Sequence, residues 1–469
     1  MSSTASLSKN GAIRPFAEKL NTFLATPQYV ALIMVLTLCS NILGMELPVY
    51  TVFTALMVYI CLFGRDLLPI MPIVIAGYIS PSAANNPGRN SDSVFSGAGG
   101  VYIAVLGACM ALAVVIYVVR HIKTYLRKKY KLLPGMLLLW AAYMLSGIGI
   151  PGYWESFSRN LLFAFLQGAS ICLIYVLFSG GVDWSKATRD YFAWIGFFAG
   201  CALFCQILWI YISADIIVDG VIHRYRIVTG WGIHNNLGGM LAMMIPFAFC
   251  LATRFRRGWL GTVAGSVLLF GVILSCSRNA ILTGSAVYFM GIVLMLYYAR
   301  NRRANTIAAL LSIGIAAMLV IIFNQQILRL FSDLLGMGFD PNSRDSIYSR
   351  GLQLFAEYPI FGGSFFSPSY EAWGWATTEA FTGFFPPRWH NTFVQLLASC
   401  GVVGLAAYLV HRFQTIRLIL RNHSKQKNFI ACSILALLVC SLFDCHFFNI
   451  GPTMFYAMAL ASAENIPAE

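Results

Sequence analysis

The chain alternates long apolar runs with short polar breaks almost from end to end. Fourteen such runs centre near residues 29–45, 48–63, 66–79, 100–119, 133–150, 160–179, 191–213, 234–253, 258–275, 279–299, 306–324, 392–411, 427–446 and 450–463. About 20 apolar residues in a row span a hydrocarbon core as a helix, whereas a soluble helix shows only one apolar stripe. The pattern therefore predicts an all-α polytopic integral membrane protein. The third and last runs are short enough to be re-entrant, so the expectation is 12 to 14 spanning helices. The runs divide the chain into an N-terminal tail (residues 1–28), a helix bundle (29–324), one long loop (325–391) and a C-terminal group of helices (392–469). The tail is polar and Ser-rich, and no small-residue cleavage pattern follows the first run.

Composition sharpens this picture. Of 469 residues, 58% are hydrophobic and 11% are charged. Soluble domains carry about 25% charged residues. The net charge of +14 has a topological explanation. With the N-terminus placed in the cytoplasm and the runs alternating, 23 of the 32 Lys and Arg fall on inner segments and 9 on outer ones. Of the 18 acidic residues, 6 are inner and 12 outer, which leaves +17 inside and −3 outside. That asymmetry is the positive-inside signature and predicts cytoplasmic termini. It also provides contacts for membrane lipids of negative charge, and a nucleic-acid footprint is excluded as its cause. The 12 cysteines lie in or beside apolar runs without a CxxC pair, so they read as small buried hydrophobes rather than a disulfide framework or metal site.

The outer segments carry the chemistry. All nine outer basic residues are arginines: Arg89, Arg159, Arg224, Arg226, Arg278, Arg329, Arg344, Arg350 and Arg388. A guanidinium fork matches phosphate geometry and stays charged when partly desolvated. The loop over residues 325–391 is rich in aromatics, including Trp373, Trp375 and Trp389, which fit an interfacial belt or the stacking of sugar rings. Within it, Ser343 to Tyr358 predicts a helix closed by Pro359. Ile347, Tyr348, Gly351, Leu352, Phe355 and Tyr358 would form its apolar face, with Arg344 in the middle of that face and Arg350 on the solvated side. An inward arginine needs a partner: a carboxylate such as Asp340 or Asp345, or an anionic ligand. Arg278, in the turn Ser275-Cys276-Ser277-Arg278-Asn279 between two runs, either snorkels or faces a cavity at the outer membrane edge. His390 opens a run, where a neutral imidazole would accept a proton or the ring would cap the helix. His234 sits in the same position at the start of another run. No GxSxG elbow, phosphate-binding GxxxxGK[ST] loop, GxGxxG fingerprint or Asp-x-Asp pair occurs, so clustered-carboxylate metal chemistry has no sequence support.

Four segments together resemble the O-antigen ligase and O-antigen polymerase family. His390-Asn391-Thr392-Phe393-Val394-Gln395 followed by Gly401-Val402-Val403-Gly404 is similar to the family's HN-x-x-Φ-Q and G-x-x-G signature. Arg344 and the helix after it, ending in Pro359-Ile360-Phe361-Gly362, resembles the preceding segment. Ser275 to Asn279 resembles the S-x-S-R turn. Arg224 or Arg226, then Gly230 and Asn236-Leu237-Gly238, resembles the earliest segment. The chain departs from the pattern at Asn235, where proline is common, and at Ser364, where a second glycine is usual. The resemblance implies a GT-C-like fold in the bacterial inner membrane and a site facing the periplasm. It implies glycan transfer from undecaprenyl diphosphate to a sugar hydroxyl, on lipid A–core for a ligase or on another lipid-linked repeat for a polymerase. It further implies an inverting, metal-independent enzyme with no cofactor. On this reading His390 deprotonates or orients the acceptor hydroxyl, and Arg278 and Arg344 hold the diphosphate. Arg224, Arg226, Arg350, Asn391, Arg388 and His234 are the remaining candidates for substrate contact. A transporter for lipid-linked glycans is the competing expectation. It calls for charged or broken helices within the spans, which the runs do not show.

Overall fold

A computed structural model describes residues 13–79, 97–185, 190–229, 232–255, 257–332, 344–366, 388–421 and 424–467. Each of the fourteen apolar runs forms a helix. In chain order the helices are α1 (Ile13–Leu24), α2 (Pro27–Leu43), α3 (Glu46–Phe63), α4 (Ile70–Ile79), α5 (Gly97–Arg120), α6 (Ile122–Arg127), α7 (Leu133–Met144), α8 (Tyr153–Gly181) and α9 (Tyr191–Ser213). They continue as α10 (His234–Ala252), α11 (Trp259–Leu274), α12 (Arg278–Tyr298), α13 (Arg302–Ile322), α14 (Asn324–Leu330), α15 (Arg344–Glu357), α16 (Thr392–Arg421), α17 (Lys425–Cys440) and α18 (Ile450–Asn465). Eight are long and apolar enough to cross a bilayer, and the α1–α2 pair, bent by 72°, would make nine. The protein is an all-α polytopic membrane protein. Part of the N-terminal tail is thus helical, and Thr26 caps α2 by accepting from the Tyr29 amide at 3.4 Å. The only strands among the described residues are two short antiparallel hairpins between α9 and α10, Ile217–Val218 with Val221–Ile222 and Val228–Thr229 with Gly232–Ile233.

Helix α10 is the axis of the bundle. From Leu237 to Ala252 every residue is buried, with α9, α11, α12 and α17 packed around it. Its second turn opens with two glycines because two neighbours come very close. A Cβ on Gly238 would lie 2.4 Å from Ser275 Oγ, and one on Gly239 would lie 2.9 Å from the His446 ring. The polar loops separate to opposite ends of the bundle. At one end Arg254 pairs with Asp190 at 3.1 Å, Gln426 donates to Asp190 at 2.8 Å, and Glu464 accepts from the Lys131 amide at 3.1 Å. The starts of α10, α12 and α16 lie at the other end, a helix length of roughly 28 Å away.

Two expectations are corrected. The buried face of α15 is centred on Ile347, Gly351, Leu354 and Tyr358, while Leu352 is 46% exposed. At 100° per residue this rotates the face by roughly 50°, so Arg344 lies on its flank, half-buried, rather than at its centre. The cause is Trp389, which is fully buried and packs over Gly351 and Leu354. The second correction is Arg412, which belongs inside α16 rather than in an inner loop. It is only 7% exposed and lies 4.3 Å from the Phe447 ring centre, 4.5 Å from Tyr408 and 4.8 Å from Tyr456. Three aromatic faces replace the solvation a cation loses in a bundle.

Helix α16 is broken at Gly401, with φ 62° and ψ −160°. The break opens backbone groups that the segment Pro359-Ile360-Phe361-Gly362-Gly363-Ser364 completes. Val402 and Val403 amides donate to the Pro359 and Ile360 carbonyls at 2.9 and 3.3 Å, and the Gly363 and Ser364 amides donate to the Ala398 and Ser399 carbonyls at 2.7 and 3.2 Å. In a bilayer-embedded helix the freed groups must find such partners. Gly362 (φ 69°) lies so close to Ser399 and Cys400 that a Cβ there would approach their backbone to 2.4 Å. Gly401→Ala should therefore destabilise the fold by at least about 1–3 kcal/mol, since that backbone conformation is essentially reserved for glycine. A lower melting temperature of the purified protein in detergent, with a smaller monodisperse fraction, is the expected reading.

Candidate active site

The loop between α17 and α18, residues 441–449, organises the cluster. The last carbonyls of a helix have no partner inside it. Here they are met by side chains and amides from the starts of two other helices. Asn279 Nδ2 donates to the Cys440 carbonyl at 2.8 Å, the Thr392 amide to Ser441 at 2.9 Å, and Asn391 Nδ2 to Leu442 at 2.8 Å. Arg388 Nη1 reaches the Cys445 carbonyl at 3.4 Å. Asn449 Nδ2 then joins the loop to α10 through Asn236 Oδ1 at 2.7 Å.

His390 is held from three sides. Its φ is +51°, one of four positive values at non-glycine positions among the described residues, and Cys276 in the Arg278 turn, at +53°, is another. Such strained conformations persist only where surrounding contacts over-determine them. The contacts are visible: Tyr348 donates its hydroxyl to the His390 carbonyl at 3.2 Å, Gln395 Oε1 accepts from the Trp389 amide at 3.1 Å, and Asn391 Oδ1 caps the helix by accepting from Phe393 and Val394 at 2.8 and 3.2 Å. The imidazole Nδ1 lies 3.3 Å from Asp444 Oδ1, and the side chain stays 36% exposed. A carboxylate on Nδ1 orients the ring and leaves Nε2 available as a proton acceptor.

Asp444 is the residue the sequence reading missed. It was absorbed into the apolar run over residues 427–446, although Leu442-Phe443-Asp444-Cys445-His446-Phe447 interrupts that run with an acid and an imidazole. That interruption was the signal. Burial alone would raise the Asp444 carboxyl. The contact with His390, the fields of His446 and His390, and the Cys445 amide at 2.7 Å outweigh it and hold the carboxyl well below the usual carboxylate range. Burial pushes the His446 imidazole downward, and its two ring nitrogens have no hydrogen-bond partner.

The arginines surround this centre unequally. Arg278 is the first residue of α12, half-buried, beside the Asn279 that docks on Cys440. Arg344, at the start of α15, is one turn from Tyr348 and within electrostatic reach of it. Arg224 is buried, bonds the Tyr225 hydroxyl at 2.7 Å and covers that ring, which meets the His234 ring edge-on at 5.4 Å. His234 feels both Arg224 and Asp444, so this second cluster adjoins the first. Arg226 and Arg350 are exposed, and the Arg226 guanidinium bonds the Asp215 carbonyl. Their exposure sets them apart from the buried Arg224. Helices α10, α12 and α16 all begin here, and their N-terminal dipoles add to the positive field. Helix N-termini beside arginines are suited to phosphate. Among the described residues, no group of three His, Cys, Asp or Glu side chains could hold a metal ion.

Fold and site together define a multi-pass membrane protein with a cationic, histidine-containing centre at one end of its bundle. The family model described as O-antigen ligase matches residues 241–409, from the first turns of α10 to the middle of α16. Over that stretch the chain is similar to the O-antigen ligase family. That stretch contains Arg278, Arg344 and His390, while Arg224, His234 and Asp444 lie outside it. No curated protein and no solved structure matches the chain.

Because Asp444 is depressed, its stabilising contribution is present above the ordinary carboxylate range and is lost only as the pH falls through its lowered value. Asp444→Asn should therefore melt below wild type at pH 7 and still do so at pH 5, with the gap closing only in stronger acid. Thermal unfolding in detergent at pH 7, at pH 5 and in stronger acid reads this out. A gap that vanished between pH 7 and 5 would contradict the assigned state.

Proposed function

We propose that the protein transfers a glycan from undecaprenyl diphosphate to an acceptor sugar hydroxyl at the outer face of the inner membrane, and that lipid A–core is the acceptor. The observation that carries this reading is the His390–Asp444 pair at 3.3 Å, set among arginines and helix N-termini. Asp444 holds the ring so that Nε2 takes the proton from the acceptor hydroxyl. The freed oxygen attacks the anomeric carbon from the side opposite the diphosphate, and the glycosidic bond to phosphate breaks with inversion. The electron pair leaves with the lipid diphosphate. Arg278 and Arg344, supported by Arg224 and the starts of α10 and α12, stabilise the charge as it develops. A metal-independent route follows from asking protein cations to do what a divalent ion does elsewhere. The excess of lysine and arginine at the opposite end supports a periplasmic placement of the site. Arg388 and Asn391 hold the loop, and Arg350 and Arg226 are assigned peripheral contacts at most.

Purified protein given an undecaprenyl-diphosphate glycan, with EDTA present, tests the proposal. Product on lipid A–core is the expected outcome, and a ladder of lengthening lipid-linked chains would make the protein a polymerase instead. His390→Ala should lower the rate by about 10²–10⁴, far more than the modest loss of melting temperature from breaking the pair with Asp444 explains. Arg278→Gln should lower it by roughly 10²–10³, and Arg278→Lys should recover only part of that, because an ammonium lacks the fork. A His390→Ala protein with wild-type turnover would remove the base from the mechanism.

A further inference from the structure

At the end of the bundle opposite the active site, a cleft of about 380 Å³ opens between α9, α10 and α11. Its back wall is Leu251 and its neighbours on α10, the helix that is otherwise enclosed throughout. Its sides are Trp194, Phe197, Phe255 and Leu260. Trp194 stacks on Phe198 at 5.4 Å and leans on Phe255 at 5.7 Å, so the aromatic wall is fixed by its own packing. Phe255 and Leu260 are about half exposed, at 49% and 52%, which leaves the cleft open to the side that faces lipid.

Arg257 stands in the lining and is exposed. The nearby acid, Asp190, is already engaged by Arg254 and Gln426. Among the described residues Arg257 makes no ion pair. An apolar, aromatic-walled slot with one uncommitted guanidinium at its rim matches an acyl chain joined to an anionic phosphate. A zwitterionic headgroup would bring a second positive charge toward Arg257. Basic pockets between helices on the positively charged side of a membrane protein select anionic lipid for this reason.

We propose that this cleft is a binding site for one anionic phospholipid of the basic-side leaflet, its acyl chain against α10 and its phosphate on Arg257. The site is independent of the catalytic reading.

Native mass spectrometry of the detergent-purified protein tests it, with phosphatidylglycerol and phosphatidylcholine of identical chains added in turn. One phosphatidylglycerol should be retained at activation energies that strip phosphatidylcholine. Arg257→Gln should weaken retention of phosphatidylglycerol roughly fivefold or more and leave phosphatidylcholine unchanged. Leu260→Trp, which fills the slot from its exposed rim, should weaken both. Equal retention of the two lipids by wild type would overturn the proposal, as would an Arg257→Gln protein that holds phosphatidylglycerol like wild type. Retention of undecaprenyl phosphate in place of phosphatidylglycerol would assign the cleft to the donor's tail instead. If Leu260→Trp melts early in lipid-free detergent, the Arg257→Gln comparison alone decides.

Discussion

The site depends on one constraint: a helix that ends at a membrane surface must satisfy its last carbonyls, and a helix that begins there must satisfy its first amides. At the end of α17 both needs are met by the same contacts. The carbonyls of Cys440, Ser441, Leu442 and Cys445 accept from Asn279, Thr392, Asn391 and Arg388. The Arg278 turn and the His390 turn are thereby fastened to one loop, although more than 100 residues separate them. Their relative position is set by one backbone bond, from Thr392, and by short side chains, Asn279 and Asn391, that dock on backbone carbonyls. Effective catalysis demands that kind of placement, because a misplacement of an ångström is costly.

The same loop brings a carboxylate into a place built for anions. Alone, Asp444 would repel a diphosphate. Its charge is instead spent on His390 and shared with the Cys445 amide and the neighbouring imidazole. On the proposed mechanism the pair would present its ring to the acceptor, and the guanidinium groups and helix N-termini would keep their positive field for the leaving group. An acid can sit among these cationic groups because it is paired with His390 and bonded to the Cys445 amide.

Much of this was legible in the sequence, and what was not has identifiable causes. Hydropathy placed a helix on each of the fourteen apolar runs, but eight of them, or nine with the bent α1–α2 pair, are long and apolar enough to span, fewer than the 12 to 14 expected. Arg278, Arg344 and His390 stood out because a charge or imidazole at a span end is rarely accidental. Asp444 was hidden because two polar residues within a strongly apolar stretch do not break a hydropathy average. The rotation of α15 depends on Trp389, some 40 residues away, and no helical wheel contains that information. Gly401 and Pro359 to Gly362 were recognisable as motif letters, but their physical role, a backbone interlock around a helix break, is a tertiary property. Arg412 was assigned to a loop because a basic residue ordinarily ends a span. Three aromatic rings make it an exception.

The buried polar groups inside the bundle bear on how the molecule works. Arg412 and His411 both bond the Tyr456 hydroxyl, and Thr415 lies 3.4 Å from it. This is a closed cluster around one phenol, sealed by Phe447 and Tyr408, rather than a row of groups leading from one end to the other. A carrier for a charged lipid headgroup needs a polar route and helices able to rearrange around it. Here α10, at the centre, is buried from Leu237 to Ala252, and the helix break in α16 is tied shut by four backbone hydrogen bonds. The bundle is braced where a transporter would have to open, and Arg224, Arg278, Arg344 and His390 lie at one end of it. That distribution favours chemistry at a membrane surface over passage through the membrane, and it makes the helices a rigid mount for the turn that carries His390.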